Sequence, residues 1–313
     1  MKWKNKALIQ NLVSKLPENM SYNLYYWMQR KFGALQSANP INLLTSRVNT
    51  MQYIRRFDHT VEGKKFLEIG TGRGIFLPIA WWLCGASEIV TVDVNPYLKE
   101  ELVMSDLTYM RAHQNELKNL FSSLPHGTLF DKRFELLMNY KGSLQDFLSM
   151  TNIRYLAPAD AGCLDFKPNS FDYHISYTVF QYIPPLDLQR ILKEAKRLTR
   201  EDGLIIHYID LTDHFSHSDQ SITYINFLQF SEKKWMRLAG NRYMYHSRLR
   251  IDDYLDMFKS LECKIVSTDT IIDERSLAAI EQGFPLDERF KNKDPKTNAT
   301  ARAWIVASPS QTR

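Results

Sequence analysis

From Lys64 onward, short apolar runs alternate with longer stretches whose apolar positions recur every three or four residues. Residues 65–69, 88–92, 153–156, 173–176 and 204–209 have the length and β-branched content of buried strands. Residues 75–84 and 186–198 read as helices between them. In the second, Leu188, Ile191, Leu192, Ala195 and Leu198 share one face, and Gly203 is expected to mark its C-terminal turn. A helix over 251–261, a sixth strand over 264–272, a helix and polar loop over 275–300 and a last strand over 302–308 complete the pattern. This alternation predicts an α/β chain built on a doubly wound sheet of about seven strands.

Three segments interrupt or precede that frame. Residues 1–60 read as an N-terminal helical extension to a domain spanning 61–310. Ala7, Leu8, Leu12, Val13 and Leu16 form one helical face that Pro17 ends, and 42–57 reads as a further helix. Between them, Tyr22, Leu24, Tyr25, Tyr26, Trp27 and Met28 stand beside Arg30 and Lys31. Such an aromatic, basic stretch suits contact with a membrane surface through residues 1–35, or packing on the rest of the chain or on a second copy in a homodimer. An insertion over 96–150 keeps helical spacing and is far longer than a usual connection within an α/β unit. A polar, aromatic cap over 212–250, with a helix expected around 222–238, follows the fifth strand.

Composition changes this picture little. The 313 residues are 44% hydrophobic and 24% charged, ordinary globular values, and the net charge is +5 with a pI near 8.9. No long basic run is present, so no nucleic-acid partner is expected. Cys84, Cys163 and Cys263 are far apart and lack metal-ligand spacing, which argues against a disulfide scaffold and fits a reducing compartment. The first apolar run is too short for a signal peptide, and no run suffices for a membrane span. The expected location is the cytoplasm, with the inner membrane surface as the other setting the N-terminus allows.

The chemistry concentrates at residues 66–78, FLEIGTGRGIFLP. A strand runs into Gly70, Gly72 and Gly74, a turn nearly free of side chains, and a helix starts at once. Backbone N–H groups and a helix N-terminus can then approach a ligand closely. The spacing is G-x-G-x-G; the third glycine of a dinucleotide fingerprint would fall at Ile75. Asp93, about twenty residues on at the end of the second strand, is placed to accept from ribose hydroxyls. Asp160 follows the third strand in ADAGCLDFKPNSFD, and Phe171–Asp172 opens the fourth.

In the order and spacing of these elements the chain resembles class I S-adenosylmethionine (SAM) dependent methyltransferases over roughly residues 60–310. The resemblance implies a Rossmann-like fold whose sheet is closed by an antiparallel strand, SAM as cofactor and S-adenosylhomocysteine as product. It implies that Glu68, Gly70, Thr71, Gly72 and Gly74 hold the methionine end, Asp93 and Val94 the ribose, Asp160 and Ala161 the adenine, and that Ser176 and Tyr177 lie at the cofactor's inner edge. Where many relatives carry Glu-His after the fourth strand, this chain has Gln181-Tyr182. A general base is therefore sought in YIDLTDHFSHSD: His214 or His217, oriented by Asp210 or Asp213. D-x-x-D-H-x-x-H is no usual ligand spacing, so no metal is expected. Arg242, Tyr245, His246 and Arg248 are candidates for substrate binding. With its extension and cap the chain looks like bacterial methyltransferases of polysaccharide and surface-glycan synthesis. That implies O-methylation of a small-molecule or carbohydrate-type acceptor, with a membrane-peripheral enzyme acting on a lipid or lipid-linked sugar, or a non-catalytic SAM-binding scaffold, as the other readings.

Overall fold

The computed structural model describes residues 1–33, 35, 39–124 and 127–309. Residues 34, 36–38, 125, 126 and 310–313 lie outside the described residues, and with them small parts of the expected 1–35 stretch, 1–60 extension, 96–150 insertion and 61–310 domain. In chain order the elements are α1 (Trp3–Ser14), α2 (Glu18–Phe32), α3 (Pro40–Arg56), β1 (Lys65–Ile69), α4 (Phe76–Leu83), β2 (Glu88–Val92), α5 (Glu100–Ala112), α6 (Gln114–Leu120), α7 (Thr128–Asn139), α8 (Leu144–Met150), β3 (Ile153–Leu156) and β4 (Phe171–Tyr177). There follow α9 (Pro185–Leu198), β5 (Thr199–Asp210), α10 (Glu232–Ala239), α11 (Ile251–Ser260), β6 (Lys264–Ile272), α12 (Glu274–Glu281), α13 (Glu288–Lys291), α14 (Pro295–Ala299) and β7 (Thr300–Ser308). The seven strands are hydrogen-bonded in the order β3-β2-β1-β4-β5-β7-β6. Leu211, one residue past β5, donates to Ala301 at the start of β7, which makes that pair antiparallel. This is the Rossmann-like sheet with antiparallel closing strands.

The chain forms two compact units. One comprises residues 38–177, 190–206 and 307–313. Its core is parallel: Ile69 is level with Val92 and Ser176, and Val92 with Leu156. The C-terminal ends of β1 to β4 therefore line one edge, and the chain's direction of travel across the sheet reverses at β1. An open α/β sheet offers its ligand crevice at such an edge. Phe66 stacks on Trp81 at 4.6 Å and meets Tyr173 at 4.7 Å. Each such aromatic pair adds about 0.5–1.5 kcal/mol beyond the area buried. Trp81 Nε1 donates to Thr50 Oγ1 at 3.2 Å, fixing α3 on the helix that follows the glycine turn.

The other unit comprises residues 1–37, 178–189 and 207–306. Trp3 and Ala7 of α1 enter a buried cluster with Phe215, Phe227, Phe230 and Trp235, and the Trp3 amide donates to Asp219 Oδ2. The α1 helix is thus an integral wall of this unit. Ring stacking of Tyr25 on Tyr243 at 3.8 Å holds α2.

Two expectations needed correction. Gly203 does not end a helix: β5 begins at Thr199 and runs through it. A Cβ there would come within 2.4 Å of the Asp172 carbonyl oxygen, so glycine permits a close backbone approach inside the sheet. The helix expected around 222–238 is broken into a short 3-10 turn over Asn226–Gln229 and α10, because Ser231 caps α10 afresh by accepting from the Lys234 amide.

Candidate active site

The glycine turn is held by its neighbours at the strand edge. Gly70 N–H donates to the Val92 carbonyl at 2.7 Å and Gly72 N–H to Asp93 Oδ2 at 2.8 Å. Gly70 and Gly72 have φ of +87° and +66°, which a side chain resists. A Cβ built on Gly72 meets no atom within 4 Å, so the turn faces open space. Asp93 accepts from the Asn95 amide with its other oxygen at 2.9 Å. Each carboxylate oxygen keeps a lone-pair site for an outside donor. Burial raises the Asp93 pKa, and the two backbone donors oppose that rise.

Beneath the turn lies a buried chain of short hydrogen bonds. Thr71 Oγ1 meets Thr91 Oγ1 at 2.6 Å, and Thr91 donates to Glu68 Oε2. Burial pushes the Glu68 carboxyl up to about 8, with Thr91 and Arg47 pulling the other way. Arg47 of α3 lies over the Tyr177 ring at 4.1 Å, at the end of β4. A guanidinium beside the turn is a residue the sequence reading missed; its only signal is a cation in the middle of a helix whose other cations, Arg55 and Arg56, lie in its last turn. The Ala159 amide donates to the Asp93 carbonyl at 2.9 Å, which brings the loop after β3 beside the ribose candidate. Within that loop, Ala161 is buried and Asp160 is half exposed. Asp160 accepts from Gly162 N–H at 2.8 Å and pairs with Arg190, which holds its carboxyl below the usual range. Ser176 is buried and Val94 exposed.

These groups fit SAM. The turn leaves open space for a ligand, the Asp93 and Glu68 carboxyls stand beside it for a ligand that bears a sulfonium and an ammonium, and Arg47 is a cation in the same group.

The second unit gathers a different set. Asp210 ends β5, and Arg250 fixes that end: its fully buried guanidinium donates to the carbonyls of Leu211, Asn298 and Thr300. Thr212 donates to Asp210 Oδ1 through its amide and, at 2.6 Å, its hydroxyl. His214 Nε2 stands 3.6 Å from Asp210 Oδ2, an ion-pair separation rather than a hydrogen bond. Burial pushes the Asp210 carboxyl up, but His214 and the Thr212 donors outweigh it and keep the group ionised far below neutrality. On its other side, His214 Nδ1 is 2.6 Å from the Tyr182 hydroxyl. His246 stands edge-on to both rings, with centroids 4.5 Å from His214 and 5.1 Å from Tyr182. The His214 and His217 rings stack at 4.9 Å, and His217 Nε2 meets Thr212 Oγ1 at 3.2 Å. Burial lowers the pKa of both His246 and His217.

Of the expected catalytic residues, Asp210, His214 and His217 come together. Asp213 turns away: it accepts from the Phe215 amide and from Asn226 Nδ2, holding the cap's first turn, and burial pushes it up to about 6. Among the substrate candidates only His246 joins the group. Arg248 is buried, spends its guanidinium on the Phe227 and Phe230 carbonyls and on Glu232, and is a packing residue. Arg242 points to α2, over Tyr22 and 3.9 Å from Glu18, and Tyr245 is half-buried in the field of Glu232 and Arg289. Tyr182 was missed; its one signal was its place where relatives carry histidine. Among the described residues, no group of three histidine, cysteine or acidic side chains forms a metal site, and the three cysteines are free.

Residues 141–207, from the end of the insertion through β3, β4 and α9 into β5, match the family model of a methyltransferase domain. No curated protein sequence matches the chain. Among solved structures it is similar to a Bacillus halodurans protein described as a methyltransferase, with 12% identity over 84% of this chain and 100% of that one and a TM-score of 0.44. It is also similar to a Methanosarcina mazei SAM-dependent methyltransferase (14%, 80% and 94%, TM-score 0.43). A third is Haemonchus contortus phosphoethanolamine N-methyltransferase 2 in complex with SAM (16%, 84% and 53%, TM-score 0.44). The methyltransferase-domain match lies on the strands that present the acidic loop, and the glycine turn tied to Asp93 stands on the strand paired with β4.

Proposed function

We propose that the chain is a class I SAM-dependent methyltransferase whose acceptor is a hydroxyl of a small-molecule or carbohydrate-type compound. The observation that carries this reading is the 2.6 Å bond between the Tyr182 hydroxyl and His214 Nδ1, with Asp210 across the same ring. A hydroxyl is a poor nucleophile until its proton leaves, and this arrangement is a route for that proton. Tyr182, 40% exposed, faces the acceptor and takes its proton while passing its own to His214. The ionised Asp210 stabilises the imidazolium so formed. His246, kept neutral by burial, walls the relay, and His217 is the second proton acceptor within reach of His214.

In this reading Glu68, Gly70, Thr71, Gly72 and Gly74 hold the methionine end of SAM, and Arg47 meets its carboxylate. Asp93 and Val94 hold the ribose, the latter through backbone, while Asp160, Ala161, Ser176 and Tyr177 complete the cradle. Bound SAM supplies an electrophilic methyl group, so alignment by these residues carries much of the acceleration.

Two measurements test the reading. Calorimetry should show SAM and S-adenosylhomocysteine binding that Asp93→Ala together with Asp160→Ala abolishes; undiminished binding overturns the cradle. Labelled methyl transfer to a panel of sugars and hydroxylated small molecules should be lost in His214→Ala with SAM binding intact. Full turnover in both His214→Ala and His217→Ala overturns the relay. A second reading, a lipid or lipid-linked acceptor at a membrane surface, is favoured by the apolar residues that α1 and α2 expose.

A further inference from the structure

The charge of this chain is unevenly placed. Residues 1–33 contain six lysines and arginines and one carboxylate, so this tenth of the sequence alone carries the net +5 of the whole, and the remainder is neutral. The same segment holds eight of the fifteen large apolar side chains exposed among the described residues. Their placement is orderly. In α2, Met20, Leu24, Trp27 and Lys31 recur at four-, three- and four-residue steps, which puts them on one stripe of the helix. Met20 is 60% and Trp27 50% exposed, and Phe32 at the helix end is 78% exposed. In α1, Lys4, Leu8, Leu12 and Lys15 share an outer face by the same spacing, with Leu8 59% and Leu12 57% exposed. The opposite faces are already committed, through Trp3 and Ala7 of α1 and through Ser21 and Tyr25 of α2. Neither helix is long and apolar enough to cross a membrane.

We propose that the outer faces of α1 and α2 form an in-plane docking surface for an anionic lipid bilayer, with Leu8, Leu12, Met20, Leu24, Trp27 and Phe32 entering the headgroup boundary and the flanking cations pairing with lipid phosphates. Apolar side chains set among lysines and arginines are the composition of helices that lie in such an interface. A second copy of the chain is a poorer occupant, because a self-complementary contact would set this cationic face against itself. The inference names the surface and lipid class for the membrane-acting reading above, and it stands or falls separately from SAM binding.

The test is co-sedimentation of the full chain with vesicles of phosphatidylcholine alone and of phosphatidylcholine doped with phosphatidylglycerol. The expected result is pelleting with the anionic vesicles only, weakened by salt. Leu24→Asp with Trp27→Asp should cut that binding at least about tenfold. Lys15→Glu with Lys31→Glu, which leaves the apolar stripe whole, should do the same while SAM binding by calorimetry stays at the wild-type level. Absence of pelleting, equal binding to neutral vesicles, or a dimer in sedimentation velocity that these substitutions dissociate would each overturn the proposal.

Discussion

The cofactor cradle and the Tyr182–His214 group are both built on strand ends, yet they are made of different material. The proposed cradle is mostly backbone: amides of Gly70, Gly72, Asn95 and Ala159 find fixed acceptors, and the side chain that ties the turn is the short carboxylate of Asp93, just past β2. The second group is mostly rings. Tyr182, His214, His217 and His246 come from three separated segments and meet through side chains alone. A backbone cradle tolerates little change in chain direction but accepts many sequences. A ring cluster depends on each side chain and on the cap that packs it, with Arg250 tying the end of β5 to the start of β7.

That difference is open to direct attack. The largest effect expected is on turnover: His214→Ala should lower kcat by roughly 10²–10⁴ while leaving the Kd for SAM within about twofold. If the substitution weakened SAM as much as it slowed turnover, the two regions would not have separate tasks. Next is Asp93→Ala, which removes the anchor of Gly72 together with the proposed ribose acceptor. Calorimetry should show SAM binding weaker by about 10²-fold. Retained affinity would mean that the turn holds its shape without its carboxylate.

The third expectation concerns pH. Burial puts Glu68 at about 8, whereas its ordinary value is 4.5. Above about 4.5 the unfolded chain releases a proton that the folded chain keeps, so this group's contribution to stability declines as pH rises toward about 8 and is constant beyond. A bound cation favours the ionised form, so SAM affinity should rise by up to about tenfold per pH unit below 8, with proton release visible in buffers of different ionisation enthalpy. An affinity that is flat across that window would remove Glu68 from the cation's partners. The smallest effect is expected for Tyr182→Phe, which keeps the ring packing and lets a water take the place of the hydroxyl as the proton link to His214. It should lower kcat by about five- to tenfold and alter the acidic limb of the pH–rate profile, with SAM affinity unchanged. An unaltered profile would make Tyr182 a packing residue only.

Much of the frame was legible beforehand. Strands β1, β2, β3 and β6 have the expected bounds, because a short apolar run between turn formers has few other solutions. The turn and Asp93 were legible for a related reason: glycines that need positive φ and an aspartate at a strand end are local features of one βαβ unit. Gly203 misled because its requirement is not local. It is a glycine for the sake of the Asp172 carbonyl, thirty-one residues away, and a turn glycine looks the same in sequence.

The sequence by itself determined which strands exist, where the glycine turn falls and which carboxylate stands beside it, since spacing along one chain fixes all three. Only the tertiary structure decided what the polar residues of the cap do. Arg248 and Asp213 resembled site residues in sequence but are spent on buried carbonyls and amides, while Tyr182, which stood out only as a departure from Glu-His, holds His214. The physical reason is that a charged side chain's role depends on whether a buried partner already satisfies it, and such partners come from segments whose meeting only the packed cap creates.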